Sequence, residues 1–387
     1  IPQEDFTGAA PEAELAVVKL KPAKKYLRDF YLIPSDAPAF QENDIMMGIK
    51  YLRMMADRLK KPLVILLAMG SNSGSHIGTS PLSQVTQNYS GFFGIITVIA
   101  GGNETGAAHH FYASIPAGTE YEDVEIRVGK EEAERGFVLE LWAADADTYT
   151  VGFISPSGER ISRIPIIANN ETSIPFLLDA TTITVNYQLI EAESGSQLIF
   201  MRFQTPAAGI WTVRVYNTQR FKGTFHMWLP VQGMISEETV FLRPDPYSTI
   251  TVPGNSRLPI TVGAYDTSTG GIYIHSSRGF TPNQIVKPEL AAPGVNILGP
   301  SVGRKPGTDT PMTTRTGTSA AAAITAGAAA NLLGWGIVEG NYPTMSEASV
   351  KSYLIRGAQR NPALTYPNRE FGYGTLDLFQ TFLRLRE

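Results

Sequence analysis

The stretch that most constrains this chain is Gly317-Thr318-Ser319 with the small-residue run behind it, through Ile324, Ala328 and Leu332 to Gly334. The run lacks Pro and has few β-branched residues, so a helix is predicted from Ser319 to about Leu333, with Thr318 as N-cap and Gly334 as the stop. Its Ala/Gly surface permits close approach to neighbouring elements, which suits a buried central helix. A hydroxyl on the first turn would meet unpaired backbone N–H groups and the positive end of the helix dipole, both of which favour negative charge. An oxygen nucleophile and its oxyanion belong at such a place. Taken alone, Gly-Thr-Ser also reads as a loop and cap opening an ordinary core helix. A membrane-spanning reading of 317–337 fits less well, because a span wants roughly 20 strongly apolar residues and this run is mostly Ala and Gly.

Before that helix the pattern alternates. A loop over 1–15, with Pro2, Gly8 and Pro11, leads into a short predicted strand, Ala16 to Leu20. Ile45, Ile49, Leu52, Ala56 and Leu59 share one face of a predicted helix over 43–60, capped by Asn43 and closed by Pro62. Leu63–Leu67 is a continuous apolar run, the pattern of a strand buried on both faces. A shorter helix after Pro81 and a second buried strand, Ile95–Ala100, follow. Strand–helix–strand alternation implies a parallel sheet covered by helices. It resumes with a strand over 259–265 and a terminal helix around 350–356.

Between these parts the texture changes. From Tyr121 to about Leu229 the chain has short alternating strands (Val124, Ile126, Val128; Phe137, Leu139, Leu141; Trp211, Val213, Val215), separated by turns such as Ser155-Pro156-Ser157-Gly158. An inserted β-sandwich is the natural reading. The predicted division is therefore 1–116, an inserted all-β unit over 117–235, and 236–387.

Composition narrows the function. With 36 Gly, 26 Pro, 18 % charged residues and a net charge of −4 spread without long runs, the chain reads as a turn-rich globular protein with no electrostatic footprint for nucleic acid. It has no Cys, which excludes disulfides and thiolate sites. Gly101–Gly106 lacks the Lys of a phosphate loop, and Ser319 lacks the second Gly of a nucleophile elbow. Neither a metal site nor a cofactor is expected. A first residue other than Met suggests a processed or truncated product.

Three ordered blocks, Val98-Ile99-Ala100-Gly101-Gly102-Asn103-Glu104, Lys287 to Ile297 (preceded by Ser276-Ser277-Arg278-Gly279-Phe280) and Gly317-Thr318-Ser319-Ala320-Ala321, resemble the signature blocks of subtilisin-like serine proteases, the subtilases. The likeness covers 8–115 and about 236–387, and Glu370 to Asp377 close the domain as in that family. It implies an α/β fold, a subtilisin-like parallel sheet flanked by helices and here interrupted by the all-β insertion. Ser319 is then the nucleophile, and Asn103 the oxyanion donor, its side-chain N–H₂ acting with the backbone N–H of Ser319. A protein substrate would bind as an extended strand between Ala68-Met69-Gly70 and Ala100-Gly101-Gly102. The family orders its triad Asp, His, Ser, so the resemblance puts the first two upstream of Gly8, on an N-terminal segment or propeptide of the same gene product.

His109 and His110 are accordingly read as hydrogen-bonded structural residues rather than a base or a metal pair, since neighbouring side chains do not face one ion. The inserted unit, Ala323 where most subtilases have Pro, and Gly102-Asn103-Glu104 leading into His109-His110 together resemble the Csp proteases of spore-forming clostridia. Those carry a jelly-roll insertion and activate a spore-cortex hydrolase zymogen in germination, which implies limited proteolysis and a spore location. Some are inactive pseudoproteases that serve as receptors or scaffolds, the alternative reading here. Leu66, Leu67 and Ala68 stand where subtilases commonly have Asn, Met and Ser, a departure that bears on pocket specificity.

Overall fold

A computed structural model describes residues 7–144, 146–167, 170–301 and 312–385; positions 1–6 of the predicted leading loop lie outside them. The helices are α1 (Lys25–Tyr31), α2 (Glu42–Leu59), α3 (Pro81–Ser90), α4 (Lys130–Arg135), α5 (Thr318–Leu333), α6 (Glu347–Gly357) and α7 (Leu378–Arg384). The first strands are β1 (Leu63–Leu67), β2 (Ile95–Ala100), β3 (His110–Ser114), β4 (Tyr121–Val128), β5 (Phe137–Ala143) and β6 (Thr148–Ile154). Then come β7 (Arg160–Ile161), β8 (Glu171–Phe176), β9 (Thr181–Gln188), β10 (Leu198–Gln204), β11 (Gly209–Gln219) and β12 (Thr224–Trp228). The last are β13 (Val240–Phe241), β14 (Ile260–Tyr265), β15 (Leu290–Pro293), β16 (Ile297–Pro300) and β17 (Met312–Arg315).

β1, β2, β14 and β15 form a parallel sheet in that spatial order. Alternation along β2 divides its two faces. Ile96, Val98 and Ala100 pack with Ile260, Val262 and Leu290 under α5 and α6, whereas Ile95 and Ile99 join Ile65, Leu67, Ile49 and Leu82 under α2 and α3. The small face of α5 (Ala321, Ala322, Ala328, Ala329) is buried against the sheet, as its composition predicts. Its helical run 318–338 is long and apolar enough to cross a membrane, but here it is a core element under the sheet.

The all-β part consists of two antiparallel sheets, β3-β12-β5-β10-β9-β8 and β13-β4-β11-β6-β7. They share one core that includes Trp211, Phe137, Phe153, Phe203 and Phe225, with the predicted alternating positions 124, 126, 128, 139, 141, 213 and 215 all inside it. The sheets also take in 110–114 and 240–241, outside the 117–235 expected from composition, because β3 pairs β12 and β13 pairs β4.

Several local expectations differ from the structure. Residues 16–20 form no strand, and Leu15 and Val17 are among the most exposed apolar side chains described. Among the described residues β1 is the outermost strand of its sheet, and Leu66 is 40 % exposed, so the strand is not buried on both faces. The N-cap of α2 is Gln41, not Asn43, and the helix ends on Lys60 in the left-handed region, two residues before Pro62. Gly334 does not stop α5: it stays right-handed and opens a π-helical turn, Gly334–Val338.

Candidate active site

α5 starts one residue earlier than predicted. Its N-cap is Gly317, at φ 139°, a conformation that side chains disfavour, and being glycine it supplies no capping side chain of its own. Its N–H is bonded to the carbonyl of Gly294 at 2.8 Å, and a Cβ there would come within 3.1 Å of Asn103 Nδ2. The turn therefore has to be glycine for the Asn103 amide to lie against it.

Thr318 is consequently not a cap but the first helical residue, and it binds the loop after β2. The Asn103 Oδ1 accepts from the Thr318 backbone N–H at 3.0 Å and from its hydroxyl at 3.2 Å. That hydroxyl also accepts from Gly102 N–H at 3.1 Å. With the amide oxygen committed to the helix start, the Asn103 N–H₂ is the free end of the group. Ser319 follows Thr318, is exposed, and donates its hydroxyl to the carbonyl of Ala68 at 3.2 Å. The head of α5, the loop after β2 and the loop after β1 thus converge, bringing Ser319, Asn103 and Ala68 into one site.

The two runs expected to line an extended substrate differ in character. Ala68, Met69 and Gly70 are exposed where edge strand β1 ends. Ala100 and Gly101 are buried, because β2 lies between β1 and β14 and has no free edge. The carbonyls of Gly101 and Gly102 already accept from Thr251 N–H (3.0 Å) and Ser277 N–H (2.9 Å). This second run offers a wall rather than a pairing edge, which corrects the reading of two equivalent edges.

Glu104, next to Asn103, is 5 % exposed and turned inward. Its carboxylate accepts from Asn72 Nδ2 (3.3 Å) and from Gln232 N–H (3.2 Å), and pairs with His109 Nδ1 (3.0 Å). His110 Nδ1 donates to the Asp245 carbonyl at 3.1 Å, and its Nε2 is hydrogen-bonded to His226 Nδ1 at 2.9 Å. Trp228 is stacked between neighbours, 3.8 Å from the His76 ring and 4.9 Å from that of His110. Burial pushes His76 and His110 down to about 4, against hydrogen bonds to backbone carbonyls that oppose the shift. His109 and His110 are therefore buried members of a polar layer between the α/β part and the all-β part. Among the described residues no group of three or more His, Asp or Glu could hold a metal ion.

Sequence reasoning missed this layer, since His76 and His226 lie 150 residues apart and nothing local marks them as partners. Thr318 could have been found, because a hydroxyl beside the nucleophile candidate is itself able to hold the amide. A second buried polar cluster also went unread: Lys287 Nζ pairs with Glu289 at 2.8 Å, and Lys351 meets the same carboxylate at 2.7 Å. It lies by the sheet core and holds Thr261 N–H through Glu289 at 2.8 Å.

The profile of the subtilase family matches residues 243–374. The chain is thus subtilase-like, and the match supports a serine peptidase. Across 90 % of its length it is similar to the Clostridium perfringens CspB protease, with 29 % identity, a TM-score of 0.81 and 72 % of that chain covered. Further similar structures are the prenylagaramide maturation protease PagA (29 % identity, 36 % of this chain and 46 % of that one, TM-score 0.29) and the patellamide maturation protease PatA (27 %, 36 % and 47 %, TM-score 0.29). No curated protein matches.

Proposed function

We propose that this chain is the nucleophile-bearing part of a Csp-like serine endopeptidase, with Ser319 as nucleophile and Asn103 as oxyanion donor. The observation that carries the reading is the convergence of an exposed Ser319 hydroxyl with Asn103, whose amide oxygen is held by Thr318 so that its N–H₂ is left for a ligand. In this reading Ser319 Oγ attacks the peptide carbonyl as a base removes its proton. The oxygen that becomes negative is then held by Asn103 Nδ2 and the Ser319 backbone N–H, at the positive end of α5. Met69 and Gly70 take the main chain of the substrate at the end of the edge strand.

The Asp and His of the triad are proposed to come from an upstream segment of the same gene product, one that covers the free edge of β1 and the exposed Leu15 and Val17. We place the inserted unit at about 110–242. Its sheet orders β3-β12-β5-β10 and β4-β11-β6 support a jelly-roll arrangement. By the resemblance of its sequence blocks to the Csp proteases, the proposed task is limited proteolysis of a protein zymogen in spore germination. A fluorophosphonate probe should label the full-length gene product at Ser319 and leave Ser319→Ala unlabelled. No labelling would turn the assignment to a binding pseudoprotease.

A further inference from the structure

The three loops at Ser319 leave little room for one part of a bound peptide. For Ser319 Oγ to attack, the substrate carbonyl carbon has to approach within about 3–3.5 Å of it, with the carbonyl oxygen toward Asn103. The side chain on that same residue then points between the run 68–70 and the run 100–102, because these two runs flank the nucleophile and the amide.

Thr251 stands in that gap. A Cβ placed on Gly70 would fall 2.7 Å from Thr251 Cβ and closer still to its hydroxyl. A Cβ on Gly102 would fall 2.6 Å from Thr251 Cγ2, 2.9 Å from Thr251 Oγ1 and 2.8 Å from Ser277 Oγ. One threonine side chain therefore touches both glycines that form the two walls.

Nor can it swing aside. Thr251 is 3 % exposed; its N–H donates to the Gly101 carbonyl at 3.0 Å and its hydroxyl to the same oxygen at 3.3 Å. On the other side its carbonyl accepts from Gly254 N–H at 2.7 Å, and a β-branched side chain has little χ1 freedom. Its neighbour Ile250 is 2 % exposed and its carbonyl is bonded to His76 Nδ1 at 3.2 Å, so the backbone behind Thr251 is fixed to the buried imidazole layer.

We propose that Thr251 closes the pocket for the side chain on the acyl side of the scissile bond, restricting cleavage to peptides with Gly, Ala or Ser at that position. This rests on the endopeptidase reading and deepens it. An apolar pocket typically gives about 10–200-fold discrimination for a methylene, so a ring forced against a fixed threonine should exceed tenfold.

The test uses binding, which needs no triad. N-acetyl tetrapeptide acids that differ only in their last residue (Gly, Ala, Leu or Phe) put the C-terminal carboxylate at Asn103 and that residue's side chain in the gap. Affinity for the full chain is read by calorimetry or NMR. The Ala acid should bind at least about tenfold tighter than the Phe acid, Thr251→Gly should close or reverse the gap, and Thr251→Val, which keeps the bulk, should preserve the order. Equal affinity for Ala and Phe acids, an unchanged order in Thr251→Gly alongside a folded Thr251→Val, or no binding of any of the four overturns the proposal. If the peptide order holds while fluorophosphonate fails to label Ser319, the pocket stands and the protease reading falls. If labelling succeeds without the order, the reverse is true.

Discussion

Acid should destabilise this protein partly through His110, and the amount can be worked out. Its ring is buried, donates to the Asp245 carbonyl and is hydrogen-bonded to His226, and its burial disfavours the charged form. The folded pKa is pushed down to about 4, against 6.5 for a free imidazole. A lowered histidine pKa means that the unfolded chain takes up a proton which the folded chain refuses. The contribution is present above pH 6.5 and is lost as pH falls toward 4. Between pH 7 and pH 5 linkage gives a loss of about 2 kcal/mol, and at pH 4 about 3 kcal/mol.

Glu347 works in the opposite sense. It is 1 % exposed, one carboxyl oxygen has no partner, and burial raises its pKa to about 8. Its contribution is full below about pH 4.5 and is lost as pH rises through 8, so going from pH 7 to pH 5 gains about 2.5 kcal/mol. The two effects nearly cancel in the parent protein, and only variants separate them. Urea unfolding at pH 7 and pH 5 should show His110→Gln losing about 2 kcal/mol less than the parent on acidification, and Glu347→Gln losing about 2.5 kcal/mol more. A pH dependence for His110→Gln within about 0.5 kcal/mol of the parent would refute the neutral, buried imidazole.

Two further outcomes follow from the site. Asn103→Ala should slow peptide hydrolysis about 10²–10³-fold with little change in KM, the scale seen when such a donor is removed in a subtilisin; an equal loss in KM would assign Asn103 to ground-state binding. Glu140 is buried and accepts from Gly74 N–H (3.0 Å) and Trp142 Nε1 (2.9 Å). Glu140→Ala strands both donors and should lower stability by about 2 kcal/mol or more in urea titrations, whereas a loss below about 0.5 kcal/mol would mean water replaces the carboxylate.

What could be read from the chain follows the reach of each signal. The continuous apolar runs of 63–67 and 95–100, the helix start at Pro81 and the proline-free small-residue run of 318–333 survive because burial and local propensity act along one element, so the α/β character of the fold was legible. Residues 16–20 have the same apolar pattern and yet form no strand. A strand also needs a partner ladder, and the described residues put none beside it. Residue type suggests Asn43 and Thr318 as caps, but a cap depends on where the backbone leaves the helix, and Gln41 and Gly317 hold those positions. That Ser319 and Asn103 come together was legible from the recognisable blocks that contain them. The contacts of Glu104, His76 and Thr251 were not, since they include residues far away in sequence.

Those long-range contacts also bear on what the all-β unit does. Its bonds to the rest of the chain do not fall at random: Leu229 O holds Asn72, Gln232 N–H holds Glu104, and Glu140 holds Gly74. Asn72 and Gly74 lie just beyond the exposed run 68–70, and Glu104 just beyond Asn103. Each loop that reaches Ser319 is therefore tied, within a few residues of the site, to a strand or loop of the inserted sheets. Removing a bonded partner from a buried polar group costs about 1–3 kcal/mol, and here several such groups would be stranded together. Stiffness in the loops that carry Asn103 and Gly70, the proposed oxyanion donor and substrate edge, should therefore depend on the all-β unit. The layer that joins them, His76 and His110 stacked on Trp228 with His226 hydrogen-bonded to His110, is where acid should act first.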